Sequence, residues 1–251
     1  MDLRDAVCLV TGGSGGIGGA TCVALGRAGG RVVASGRDQE ALREVSARTG
    51  GAWVAADLTQ PGEAERLAEE ARAALGPIDV LVNNAGAGWA GPFVDLEPED
   101  IDDLVALNLT AHLRLTRAIL PRMLERRRGH VLFVASIAGH LGVRDEAVYS
   151  ATKAALIRFA DSLREEVAAA GVGVSVVSPG AVATGFFARR GRPYDRSFPK
   201  AISAERVARA VVRAVERNRP DVIVPRWLGI PARLKGALPG LYRLLSARFG
   251  G

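Results

Sequence analysis

The chain has 251 residues, 48% of them hydrophobic and 24% charged, which suits one large globular domain with a sizeable core. Its two cysteines, Cys8 and Cys22, have neither paired spacing nor a ligand pattern, which argues against a disulfide framework or a zinc site and for a reducing, cytoplasmic setting. Net charge is +6, of which five come from Arg226, Arg233, Lys235, Arg243 and Arg248 in the acid-free stretch 222–251, so the body is nearly neutral; with aromatics at 5%, nucleic-acid binding is not expected.

The first five residues, MDLRD, carry two acids and do not resemble a signal peptide, and no apolar stretch reaches membrane-spanning length. A strand is expected at AVCLVTG (6–12), then a helix near 16–28, a strand at RVVASG (31–36), and a helix near 38–48. AWVAAD (52–57) and VLVNNAG (80–86) read as strands around a helix at 61–75, and one long helix is expected over 98–127. HVLFVAS (130–136), a helix over 148–170, VSVVSPG (174–180), a helix over 203–217 and DVIVP (221–225) complete the series. Seven nearly continuous apolar runs imply strands covered on both faces, and their alternation with helices predicts a doubly wound α/β fold with a seven-stranded parallel sheet. The expected organisation is one catalytic domain over 1–225, including a mixed aromatic and basic substrate loop at 185–202, followed by a basic amphipathic tail at 226–251.

TGGSGGIG (11–18) sits between the first strand and the first helix, where glycine permits a tight turn and lets backbone approach a pyrophosphate at a helix N-terminus. Gly12, Gly16 and Gly18 give the spacing TGxxxGxG; a plain flexible turn is the bland alternative. The second strand ends in ASGRD. The slot that an NAD-selecting enzyme fills with an acid is Gly36, followed by Arg37, so NADP(H) is expected over NAD, with Ser14 adding a hydroxyl and Asp38 capping the next helix. Tyr149 and Lys153, four positions apart in AVYSATKAAL, share a helix face.

Taken in order, TGGSGGIG, Asp57, NNAG (83–86), Asn108, Ser136, YSATK (149–153) and PGAVAT (179–184) make the first 185 or so residues resemble a short-chain dehydrogenase/reductase of the single-domain Rossmann type. The resemblance implies an NADP(H)-dependent oxidoreductase that interconverts a carbonyl and an alcohol on an apolar or amphipathic small molecule. Tyr149 would be the proton donor, Lys153 the charge that favours its phenolate and a partner of the nicotinamide ribose, Ser136 the hydroxyl on the substrate carbonyl, and Asn108 the holder of a water near Lys153. It places Gly12, Ser14, Gly16, Ile17 and Gly18 on the cofactor, Arg37 on a 2′-phosphate, Asp57 and Leu58 at the adenine, Asn83, Ala85 and Gly86 along the adenosine ribose side, Thr184 near the carboxamide, and Tyr149, Lys153, Pro179 and Gly180 also in contact with the cofactor. A catalytically silent protein that senses NADP(H) on the same fold is the alternative.

His112, His130 and His140 lack ligand spacing, so no metal site is expected, though His140 lies where a pocket wall would form. Asp145 and Glu146 read as cap or solvent residues, and Trp89 and Phe93 as pocket wall or core. Arg189, Arg190, Arg192, Arg196 and Lys200 suit either a solvated lid or an anionic substrate. Leu104, Leu107, Leu115, Leu156 and Phe159 suggest a homodimer through the two long helices, while the tail suits a peripheral membrane contact, a lid or a subunit interface.

Overall fold

The computed structural model describes residues 1–195, 198–240 and 242. Seven strands, β1 (Val7–Thr11), β2 (Arg31–Gly36), β3 (Ala52–Ala55), β4 (Val80–Asn83), β5 (Gly129–Val134), β6 (Val172–Pro179) and β7 (Asp221–Val224), pair in parallel in the order β3-β2-β1-β4-β5-β6-β7. Strand order runs outward in both directions from β1 and β4, so a crevice opens beyond their carboxyl ends, where open parallel sheets bind ligands.

Alternation along the strands builds two cores. Leu9, Leu81, Val131 and Phe133 face one side, with α3 (Glu63–Leu75), α5 (Ala111–Glu125) and α7 (Ala147–Val167) supplying Leu67, Leu115 and Leu156. Cys8, Val10, Val82 and Leu132 face the other, against Leu25 of α1 (Gly16–Arg27), Leu42 of α2 (Gln39–Thr49) and Val211 of α9 (Ala204–Glu216). Leu104, Leu115 and Leu156, read from sequence as a dimer face, are buried within the chain's own interior and offer nothing to a partner.

Three elements depart from the expected pattern. The helix expected over 98–127 is divided: α4 (Pro98–Val105) passes through a π-turn, Ala106–Thr110, into α5. Such turns re-aim one side chain within an otherwise regular helix, and here it is buried Asn108. A short helix α6 (Ile137–Leu141) follows β5, capped by Ser136, whose Oγ accepts from the Ala138 N–H at 3.1 Å. Of the described residues in the 185–202 segment, Phe186–Arg189 form α8 and Ile202 makes a parallel bridge to Val182, while Arg196 and Ser197 lie outside the described residues. After β7, a 3₁₀ turn Arg226–Leu228 leads into α10 (Gly229–Ala237); Leu241 and residues 243–251 of the tail lie outside the described residues.

Candidate active site

The glycine turn is a backbone arrangement before it is a binding site. Gly12 and Gly16 have φ of +65° and +55°, conformations that a side chain strains. A Cβ on Gly12 would sit 2.8 Å from Asn84 Nδ2, and one on Gly18 would run into the Gly12 carbonyl oxygen, so Gly18 serves the close packing of α1 on the turn and does not line the cavity. A Cβ on Gly15 would meet nothing within 4 Å beyond its own chain neighbours. The uncapped N-terminus of α1 therefore faces open space, the arrangement that admits a phosphate.

Thr11 joins this turn to the loop after β4: its Oγ1 accepts from the N–H groups of Asn84 and Ala85 at 2.9 and 3.0 Å. Asn84, Ala85 and Gly86 line the cavity. Asn83, expected there, is fully buried instead, its amide donating to Thr116 Oγ1 at 3.0 Å and lying 3.2 Å from His112 Nδ1. His112, which sequence left unassigned, supports this loop from below with Nε2 2.8 Å from the Ala85 carbonyl. Burial, and next the Lys153 charge, lower its pKa to about 3, so the ring is neutral and can donate from Nε2.

Ser136, Tyr149 and Lys153 meet on one wall of a cavity of about 980 Å³. α7 carries the latter two one turn apart, and Lys153 Nζ donates to the Val134 carbonyl at 3.1 Å and lies 5.8 Å from the Tyr149 ring centroid. Gly139 lets α6 cross α7 this closely, since a Cβ there would be 2.7 Å from the Lys153 carbonyl carbon. Burial pushes Tyr149 up to about 12, opposed by a hydrogen bond with Ser136, and burial brings Lys153 down to about 8. Asn108 lies behind this wall, not on it, its side chain engaged with the Ala87 backbone.

The same cavity is lined by Ser14, Ile17, Arg37, Asp38, Asp57 and Leu58, and by Pro179, Gly180 and Thr184. Asp38 accepts from the Ala41 N–H at 3.1 Å as the cap of α2, and Asp57 Oδ1 accepts from Thr59 N–H and Oγ1 at 3.1 and 2.8 Å. A Cβ on Gly36 would be 3.2 Å from Ser14 Oγ, so the end of β2 leaves little room for an acidic side chain.

Over the Tyr149 side lies the 185–202 segment. Phe186 packs 5.6 Å from the Tyr149 ring, and the Arg190 guanidinium sits 4.6 Å above Phe187 while forming a part-buried ion pair with Glu146. Arg192 pairs with Asp145 at 2.8 Å. These two acids, read as cap or solvent residues, therefore fasten the loop, and two of its arginines are committed to them. Trp89 and Phe93 border a separate small hollow, and His140, at 3.0 Å from Ser178 Oγ, does not line the main cavity.

A protein whose parallel sheet carries a glycine turn at its switch point and a serine, tyrosine and lysine across the crevice is a dinucleotide-binding oxidoreductase by class. The family profile described as short chain dehydrogenase matches residues 6–195. The chain is 32% identical to mouse dehydrogenase/reductase SDR family member 7B, covering 98% of this chain and 82% of that protein. It is 37% identical to ketoacyl reductase HetN of Nostoc, over 88% and 79%. A short-chain dehydrogenase from Sphingobium yanoikuyae, solved with NADPH, superposes with a TM-score of 0.81 at 29% identity, over 94% and 95% of the two chains. The chain belongs to the short-chain dehydrogenase/reductase family.

Proposed function

We propose that the protein is an NADP(H)-dependent reductase or dehydrogenase that interconverts a carbonyl and an alcohol on an apolar or amphipathic small molecule. The observation that carries this reading is the meeting of Ser136, Tyr149 and Lys153 across one cavity from an uncapped glycine turn. When bound, the dinucleotide supplies or accepts the hydride at the carbonyl carbon. Ser136 Oγ donates to the substrate oxygen and stabilises charge gathering there. The Tyr149 hydroxyl then gives its proton to that oxygen, and a phenol held at about 12 is fully protonated near neutrality, which suits reduction. Lys153, ammonium below about pH 8, opposes the negative charge left on the phenolate.

The preference for NADP(H) rests on Arg37 at the cavity wall, on the crowded Gly36 position, and on Asp38 being spent as a helix cap. The NADPH in the Sphingobium relative supports it. Phe186, Phe187 and Tyr194 give the substrate half an aromatic wall, in keeping with an apolar or amphipathic substrate. Homodimerisation belongs to the same reading; of the residues that suggested it, Leu104, Leu115 and Leu156 are interior, and Leu107 and Phe159 are half-buried.

The test is a screen of carbonyl compounds in which NADPH oxidation is followed by absorbance with the wild-type protein and with Tyr149→Phe. Turnover on at least one compound, lost by orders of magnitude in the variant while NADPH binding persists, is the expected result. NADPH binding with no turnover on any compound would favour the silent sensor instead.

A further inference from the structure

Seven large hydrophobic side chains are exposed among the described residues, and four of them fall at the end of the substrate loop and in the segment after β7: Phe198 (71% exposed), Trp227 (40%), Ile230 (66%) and Leu238 (54%). Phe198 and Trp227 stack with ring centroids 5.2 Å apart, which joins the end of the substrate loop to the turn before α10. The helix is fixed from its other side. Leu228 and Gly229 are buried, and Lys235 Nζ donates to the carbonyls of His140 and Leu141 at 3.2 and 2.7 Å. Helical periodicity then turns Ile230 outward together with Arg226 and Arg233, which are exposed and carry no ion pair among the described residues.

The chemistry of this face is one-sided. Among the described residues from 222 onward there is no acid. Such a surface, apolar side chains flanked by unpaired arginines, complements an anionic, partly apolar partner. Its place also bears on substrate access, because Pro199 and Leu228, the chain neighbours of Phe198 and Trp227, line the active-site cavity.

We infer that Phe198, Trp227, Ile230 and Leu238, with Arg226 and Arg233, form a docking surface for an anionic lipid bilayer, bringing the cavity rim to the membrane. Among the described residues no helix is long and apolar enough to cross a membrane, so the contact is peripheral. Basic residues near an anionic bilayer draw the face in, and the rings and aliphatic side chains hold it at the headgroup level. The inference does not depend on which reaction the cavity performs.

The experiment is co-sedimentation of the full chain with phosphatidylcholine vesicles, with and without phosphatidylserine, at low and high salt, alongside sedimentation velocity without lipid. Binding only to the phosphatidylserine vesicles, weakening with salt, is expected. Arg226→Gln and Arg233→Gln should each weaken it about fivefold. Phe198→Glu with Ile230→Glu should abolish it while circular dichroism, NADPH binding and oligomeric mass stay unchanged. No binding to anionic vesicles would overturn the inference, and so would binding that survives the glutamate pair, since the lipid contact would then lie elsewhere. An assembly that falls apart in the glutamate variant would assign the face to a second copy of the chain.

Discussion

The Asn108 carboxamide and the Ala87 peptide exchange two hydrogen bonds: Nδ2 donates to the Ala87 carbonyl and Oδ1 accepts from its N–H, both at 2.9 Å. The π-turn brings Asn108 far enough inward to make this clasp, and a Cβ on neighbouring Gly86 would lie 3.0 Å from Asn108 Oδ1 and 3.5 Å from Lys153 Nζ. Asn108 thus holds the loop after β4 beside Lys153.

Asn108→Ala should therefore cost stability and activity together. Losing both bonds removes on the order of 1–2 kcal/mol, lowering the thermal midpoint by several degrees, with kcat reduced more than KM is raised. Asn108→Asp should do no better, because its carboxylate cannot donate to the Ala87 carbonyl. Calorimetry with steady-state kinetics reads both effects; an aspartate variant with wild-type stability and turnover would contradict the clasp.

Lys153 makes the pH dependence predictable. For carbonyl reduction, Tyr149 stays protonated to about pH 12, whereas Lys153 loses its charge through about pH 8. Reductive kcat/KM should be level at lower pH and fall above 8, and a profile level from pH 7 to 10 would refute this. Stability should move the other way. The lysine pKa is lowered from 10.5 to about 8 on folding, so between these values the unfolded chain binds more protons, and stability rises with pH. The rise is on the order of 3 kcal/mol, and Lys153→Met should remove it from denaturation curves collected across that window.

What the sequence disclosed and what it withheld divide along a physical line. Local patterns were legible: the apolar runs from Val7 to Val224 became the seven strands, and the glycine spacing became the positive-φ turn at Gly12 and Gly16. Asn83 and Asn84 could not be told apart, since motif spacing names both while strand alternation turns only one toward the crevice. Leu115 and Leu156 lie on helix faces that periodicity marks as apolar, but only packing shows that the chain's own core covers them. Glu146 and Arg190, 44 positions apart, carry no joint signal in one sequence. The π-turn at Asn108 was hidden because one extra residue per turn leaves helix-forming composition unchanged.

Arg37 gives a direct test of cofactor choice. It lines the cavity beyond β2 and makes no ion pair among the described residues, so its charge is available to a 2′-phosphate. Arg37→Ala should raise the Kd for NADPH about tenfold or more and leave that for NADH within about twofold, because only the former carries the phosphate. Titration of intrinsic protein fluorescence with each dinucleotide measures both, and parallel losses would show that Arg37 does not read the phosphate.

The Glu146–Arg190 pair should govern the substrate loop. Arg190 is buried and Glu146 largely so, and Glu146 immediately precedes α7, three residues before Tyr149, so Arg190→Met leaves a poorly solvated carboxylate with no cation. The loop can relieve that penalty by opening, which would carry Phe186 away from the Tyr149 ring and let water into the site. Once a substrate is known, the single variant should show KM raised about tenfold, with a smaller loss of kcat. Glu146→Gln should be milder, since a neutral amide tolerates burial better than a lone carboxylate. The double variant should recover part of the Arg190→Met loss, because no unpaired charge remains. If the logarithms of the two single losses simply add in the double variant, the residues do not act as a unit, and the loop is held by its aromatic contacts alone.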